Sequence, residues 1–496
     1  MSFDPARRYL FGGAAAGLGG LALSMLKPGQ ARANAAFHRT PSGKLSRGFG
    51  KAKNVIFLHM AGAPSQLDLF SHKPTLNRHN GAECPAELLK GKRFAFLRGV
   101  PRMLGSPYKF KQHGRAGAWV SELMPHFPKI VDDVAILSAM HTDEFNHAPA
   151  QLFTLTGKSQ FGGASLGSWM TYGLGTENQN LPGFVVLLSG GKFPDGGKSL
   201  WGSAYLPSVH QGVQVRSEGN AVLYLSDPPG LDRKGRRETL DALGKLNGIT
   251  LRRSGDPETE ARVGQYELAY RMQASVPGVI DLQREPQHIL ELYGAKPGFT
   301  SPAETADDPR TLYKGDDPTF ANNCLMARRL VENGVRFVQL FDWGWDHHGI
   351  SPGESIDETL PIKARQIDRA VTGLILDLKQ RGLLDETLVV WCSEFGRTPM
   401  QQNADTQRYI GRDHHPHAFT AWMAGGGIKG GQVYGETDEI GFSPTKDAMH
   451  MRDMQAMILH LAGLDPWRYH YPFQGLDQRL IGPEDDKARL HAALLA

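Results

Sequence analysis

Asn54-Val55-Ile56-Phe57-Leu58-His59-Met60, ending in Ala61-Gly62, is apolar from Val55 to Met60 except for one imidazole. A strand with one wet face would alternate. An unbroken run instead predicts a parallel strand covered on both sides. The same character recurs at 133–138, Gly183–Leu188, Val335–Phe341 and Thr387–Cys392, and Phe419–Met423 reads as a further strand before Gly425-Gly426-Gly427. Between these runs lie stretches of helical composition at 120–131, Ala148–Leu155, Leu166–Leu174, 320–333, 362–381 and 451–462. In 362–381, Ile367, Ala370, Val371, Leu374, Ile375 and Leu378 form one apolar stripe, as a helix lying on a sheet requires. Strands alternating with helices predict an α/β fold: a doubly wound, mostly parallel sheet with helices on both faces. The rhythm breaks over 190–318, rich in Gly, Pro and charge, where helical stretches near 235–246, 257–274 and 285–294 predict an inserted cap region. The α/β domain is expected over 54–480, with a C-terminal tail at 481–496.

Residues 1–33 read as a twin-arginine signal peptide. Arg7-Arg8 precede a weakly apolar, Gly-rich run from Leu10 to Leu26, and Ala31-Arg32-Ala33 offers a small-x-small cleavage site. A linker at 34–53 follows, and the expected location is periplasmic. The leader's four cations against Asp4 leave the mature chain near neutral, at about +1. That balance argues against nucleic acid as the main partner. No later stretch approaches eighteen apolar residues, so no membrane span is expected in the mature chain. Cys84, Cys324 and Cys392 lie far apart without a CxxC, which excludes a cysteine zinc finger and a disulfide scaffold.

Two strand ends and one loop carry the chemistry. Val335–Phe341 runs into Asp342-Trp343-Gly344-Trp345-Asp346-His347-His348. Thr387–Cys392 runs into Ser393-Glu394-Phe395-Gly396-Arg397, and Arg412-Asp413-His414-His415 follows in a loop. Ligands of open α/β sheets bind beyond the carboxyl ends of strands. Asp, Glu and His gathered there have the composition of a site for one or two divalent ions, with Zn slightly preferred over Mn, Fe, Mg or Ca. The metal-ligand set is Asp346, His347, His348, Glu394, Asp413 and His414. Gly163-Ala164-Ser165-Leu166-Gly167 matches a nucleophile elbow in letters, but no strand precedes it, so Ser165 reads as a helix N-cap.

Beyond these residues the chain resembles a known family. His147-Ala148-Pro149-Ala150-Gln151 with Thr156-Gly157 keeps the spacing of the sulfatase signature, and the strand ending in Ser393-Glu394-Phe395-Gly396 resembles the superfamily strand ending in Ser-Asp-His-Gly. The phrases at 62–66, 146–149, 344–348, 394–399 and 411–414 are similar to those of an exported, sulfatase-like family, domain of unknown function 1501. The likeness spans about residues 50–480 and implies the alkaline phosphatase-like fold. Departures matter as much. His147 stands where the enzymes have Cys, Ser or Thr, Ala150 and Gln151 replace Ser and Arg, and Ala61-Gly62 replaces a pair of metal-binding aspartates. Formylglycine chemistry is therefore excluded. The resemblance implies that fold but no known reaction; the Asp, Glu and His residues placed on it predict a metal-dependent hydrolase of phosphate or sulfate esters, or of a related anionic group, acting on a small anionic or polysaccharide-linked substrate. His147, Asn146 and Arg397 are the expected catalytic residues, and Ser65 and Gln66 are assigned to substrate binding. The alternative is a non-catalytic binding protein on the same scaffold, which leaves a protein partner open.

Overall fold

The structure is a computed structural model that describes residues 47–92, 94–216, 230, 232–254, 257–299, 317–402, 408–482 and 488–496. The expected leader at 1–33, residues 34–46 of the expected linker and residues 300–316 of the expected inserted region lie outside the described residues. In chain order the elements that place the site are β1 (Asn54–Ala61), β2 (Val134–His141), α1 (His147–Thr156), α2 (Leu166–Leu174), β3 (Phe184–Ser189), β4 (Val213–Gln214), α3 (Arg233–Ser254) and α4 (Pro257–Ile280). There follow α5 (Thr319–Glu332), β5 (Phe337–Trp343), α6 (Leu360–Gln380), β6 (Thr387–Cys392), β7 (Gly396–Gln401), β8 (Arg412–His415), β9 (Phe419–Ala424), β10 (Gln432–Tyr434) and α7 (Met451–Leu461).

The main sheet runs β10-β2-β9-β6-β1-β5-β3-β4, with the short strand Met449–His450 also paired to β2. β1 is parallel to β5 and β6, and β3 is parallel to β4 and β5. Among the described strands of this sheet β9 alone is reversed, antiparallel to β2 and β6. The doubly wound, mostly parallel sheet is thus the observed fold class. The run that opened the analysis explains itself by alternation. Ile56, Leu58 and Met60 enter the core that α5 and α6 close, whereas Val55 and Phe57 enter the core that α2 and α7 close. Each such side chain contributes about 1.5–3 kcal/mol by leaving water. A small second sheet, β7 with β8 and the strand Arg102–Met103, packs beside the carboxyl end.

One expected helix is absent. Over 120–131 the chain forms the strand Ala118–Ser121, paired as a hairpin with Phe110–His113, and then a short 3-10 turn at Phe127–Lys129. Pro125 and Pro128 deny the segment a continuous helical ladder, and Gly114 and Gly117 supply the positive φ of the hairpin turn. Ser165 does cap α2, accepting the Ser168 amide. All three cysteines are buried and free. Among the described residues no helix is long and apolar enough to cross a membrane.

α1 ends at Gly157, with φ 72°, whose amide reaches the Phe153 carbonyl. A Cβ there would stand 1.7 Å from the Leu480 carbonyl oxygen. Gly157→Ala is therefore expected to cost at least about 2 kcal/mol, combining left-handed strain with displaced backbone. The guanidinium unfolding midpoint measures it. An unchanged midpoint would show that α1 is not held against Leu480 in this way.

Candidate metal centre

The carboxyl ends of the central strands coincide in register. Met60 and Ser189 each pair with Asp342, and His59 pairs with Cys392. The loops leaving β5 and β6 therefore emerge on either side of the end of β1, carrying Asp346 and His348 from one and Glu394 from the other. β8 brings His414 from the flanking sheet, and His147 is the first residue of α1.

Four side chains converge. The Nε2 atoms of His348, His147 and His414 lie 2.7, 3.2 and 3.3 Å from Asp346 Oδ1. His348 Nε2 and His414 Nε2 lie 3.1 Å apart, and one ligand atom from each of the four residues falls within 4.8 Å of the others. Behind each ring stands an oxygen acceptor for the opposite nitrogen. His147 Nδ1 meets Glu394 Oε1 at 2.8 Å, His414 Nδ1 meets the Phe145 carbonyl at 2.8 Å, and His348 Nδ1 meets Gln402 Oε1. Oxygen at Nδ1 calls for a proton on that nitrogen, which leaves the Nε2 lone pair aimed into the centre in the neutral ring. Two facing lone pairs 3.1 Å apart need a cation between them, a proton or a metal. His147 Nε2 is buried and makes no hydrogen bond, its contact with Asp346 being off the bonding direction. A tetrahedral ion with bonds of about 2.0–2.1 Å places its ligands roughly 3.3–3.4 Å apart. The donor set, three imidazoles and a carboxylate, suits a zinc-type ion, and its spread from 2.7 Å to within 4.8 Å would reach that spacing through side-chain shifts on binding.

The electrostatics agree. Burial disfavours a charged Asp346, but Arg397 and His147 overcome it and hold the carboxyl well below the usual range. Burial also opposes the His147 imidazolium, yet Asp346 and Glu394 push it up to about 10. Glu394 is likewise held low, with bonds from His147 and His59 outweighing burial. Burial brings His414 down to about 4. Without an ion the His147 proton and Arg397 balance the two carboxylates, and a metal ion where the imidazoles meet would take the place of that proton.

The remaining expected site residues take other places. Glu394 is fully buried behind His147, accepting the Gly62 amide at 2.8 Å and Gln151 Nε2 at 3.1 Å as well as the imidazole. Asp413 turns away and accepts the amides of Phe96, Leu97 and His414. His347 is buried with both ring nitrogens unbonded, driven down to about 3 chiefly by burial, and does not join the four. Arg397 donates to the carbonyls of Ala63, Arg412 and Gly62 and to Asp346 Oδ1 at 2.5 Å. Four of its five N–H groups are thus committed, and it orients Asp346 rather than standing ready as a bidentate clamp. Ser65 donates to Asp68 at 2.5 Å, while the Gln66 side chain bonds the Arg397 backbone from both its ends. Asn146 is exposed at the start of α1 and makes no capping bond. The sequence reading had assigned His147 to catalysis rather than to ligation. It also missed His59, Gln402 and the Phe145 carbonyl; the last carries no side-chain signal at all. Phe96, 50% exposed, leans edge-on against His348 and His414 and forms one wall of the opening.

Glu394→Gln keeps the shape but removes the charge that holds His147. Metal affinity is expected to fall about 10–100-fold with the fold intact, as for other groups that orient a ligand. Competition with a chromogenic chelator measures it. Unchanged affinity would show that Glu394 does not tune the centre.

No curated protein matches the chain in sequence. Among solved structures it is similar to a sulfatase from Pseudoalteromonas sp., at 13% identity and TM-score 0.34, covering 90% of this chain and 72% of that one. It is also similar to the lipoteichoic acid synthase LtaP of Listeria monocytogenes, at 9% identity and TM-score 0.38, covering 92% and 81%. A third is the alkaline phosphatase of the Antarctic bacterium TAB5, at 10% identity and TM-score 0.30, covering 76% and 92%. The model of the family described as "Protein of unknown function (DUF1501)" matches residues 52–493, and the chain belongs to that family.

Proposed function

We propose that the protein is an exported, metal-dependent hydrolase of phosphate or sulfate esters, or of a related anionic group. One divalent ion, zinc before the others, is held by His147, Asp346, His348 and His414. The observation that carries this is the backing of all three imidazoles by oxygen acceptors, which turns three Nε2 atoms toward one carboxylate oxygen. When bound, such an ion supplies a Lewis acid for a phosphoryl or sulfuryl oxygen and makes water nucleophilic near neutral pH, so no Cys, Ser or Thr is needed at position 147. The chain's own residues do the rest. Glu394 fixes the His147 ring, Arg397 holds Asp346, and Phe96 keeps water from one side of the rings. The first peptide groups of α1, beside His147, add partial positive charge that favours an anion. Export by the twin-arginine route rests on Arg7-Arg8 and the run that follows, and α3 and α4 belong to the proposed cap.

A second reading has its own support. Four protein ligands satisfy a tetrahedral ion, as in structural sites. A binding protein with a structural metal would show the same set, although Asp346 retains 28% side-chain exposure. Turnover of p-nitrophenyl phosphate and p-nitrophenyl sulfate by zinc-loaded and chelator-treated protein separates the two. Hydrolysis that requires metal and disappears in His348→Ala supports the hydrolase. A full equivalent of metal with no hydrolysis of any ester in a broad phosphate and sulfate panel favours the binding protein.

A further inference from the structure

The loop after β3, Gly190–Gly196, is tied at its start to the end of β5, which leads on to Asp346, and at its end to Gln151, which also bonds Glu394. At its start, Ser189 donates to Asp342 Oδ1 at 2.8 Å. Gly190, with φ 82°, lies so close to Trp343 that an added Cβ would stand 2.2 Å from its carbonyl oxygen. At its end, the Gly196 amide reaches Gln151 Oε1 at 3.0 Å, and Gln151 Nε2 is shared between Asp195 and Glu394 at 3.1 Å each. The same glutamine thus braces both the loop and the carboxylate behind His147.

Between these anchors the loop presents an unmatched cation. Lys192 is exposed, and its Nζ sits 4.4 Å from the centre of the Trp343 ring, three residues before Asp346. Among the described residues it has no carboxylate partner, unlike Lys363, which is paired with Asp342. Glu354 interacts with Lys192 at longer range than an ion pair, and with Asp346 and His348 as well. Beside it Phe193 is 51% exposed and stacks on Trp201. A cation over an indole, next to an open aromatic ring, suits an anionic group carried on a compact ring.

We infer that Lys192 and Trp343 form a recognition point for a second anionic group, so that the preferred substrates are esters bearing two negative groups rather than one. The inference rests on the hydrolase reading for the word substrate, but its test is one of binding. Zinc-loaded wild-type protein and Lys192→Gln would be titrated calorimetrically with glucose 6-phosphate and glucose 1,6-bisphosphate, and with the corresponding mono- and disulfates. Wild type is expected to bind the member with two anionic groups, of at least one pair, about tenfold more tightly than the member with one, a typical gain for one charged contact. Lys192→Gln should abolish that preference while changing affinity for the single ester less than about twofold. Equal affinity for both members of each pair, a preference that survives Lys192→Gln, or no binding of any probe overturns the inference. Failure of the metal centre would be read separately, as zinc missing from the same samples.

Discussion

Asp346→Ala protein is expected to bind zinc at least about 100-fold more weakly than wild type. Loss of a group that only orients a ligand costs about 10–100-fold, and Asp346 is the atom on which the others converge. The substitution removes the oxygen that three imidazoles and Arg397 share. It also leaves the Arg397 guanidinium, 1% exposed, without its carboxylate. His348→Ala should lose metal comparably, because it removes one of two nitrogens that face each other at 3.1 Å. Equilibrium dialysis against buffered zinc measures both. Wild-type affinity in either variant would remove that residue from the ligand set.

The second large effect falls on stability. Asp68 and Arg412 are fully buried and bidentate, at 2.8 and 3.2 Å. Arg412 also donates to the carbonyls of Leu104, Thr398 and Gly105, so every N–H has an acceptor. Asp68→Ala strands this cation in the interior and is expected to cost about 3–5 kcal/mol in denaturant unfolding. Removing both charges, as Asp68→Leu with Arg412→Met, should recover much of that loss, because the penalty comes from the unpaired charge. A loss below about 1 kcal/mol for the single variant, as at exposed pairs, would contradict the buried bidentate geometry. The same pair steadies the centre, since the Arg412 carbonyl receives Arg397 Nη1 and His414 lies two residues along β8.

The α/β architecture was legible because a strand buried on both faces cannot alternate, and β1, β3, β5 and β6 all show the resulting apolar runs. Their ends marked the site for the same reason, because polar clusters at 346–348 and 393–394 stop those runs. The helix expected over 120–131 failed on Pro125 and Pro128, whose cost outweighed the local apolar spacing. Within the site, composition could not say which neighbour faces inward. Along β8 successive side chains point to opposite faces, so His414 enters the centre and Asp413 takes up the Phe96 and Leu97 amides. Glu394 reads as a ligand from its strand-end position. Three donors on Oε1 instead make it the support for His147. Such distinctions depend on rotamers and on backbone carbonyls such as Phe145, which leave no trace in residue type.

The central claim is a single ion held mainly by imidazole. Zinc K-edge X-ray absorption of the zinc-loaded protein tests it most directly. The account predicts about one zinc per chain with three imidazole nitrogens and oxygen at about 2.0–2.1 Å, together with the outer-shell scattering of the rings. Protein that takes up no zinc, or zinc surrounded by oxygen with one imidazole or none, would contradict it.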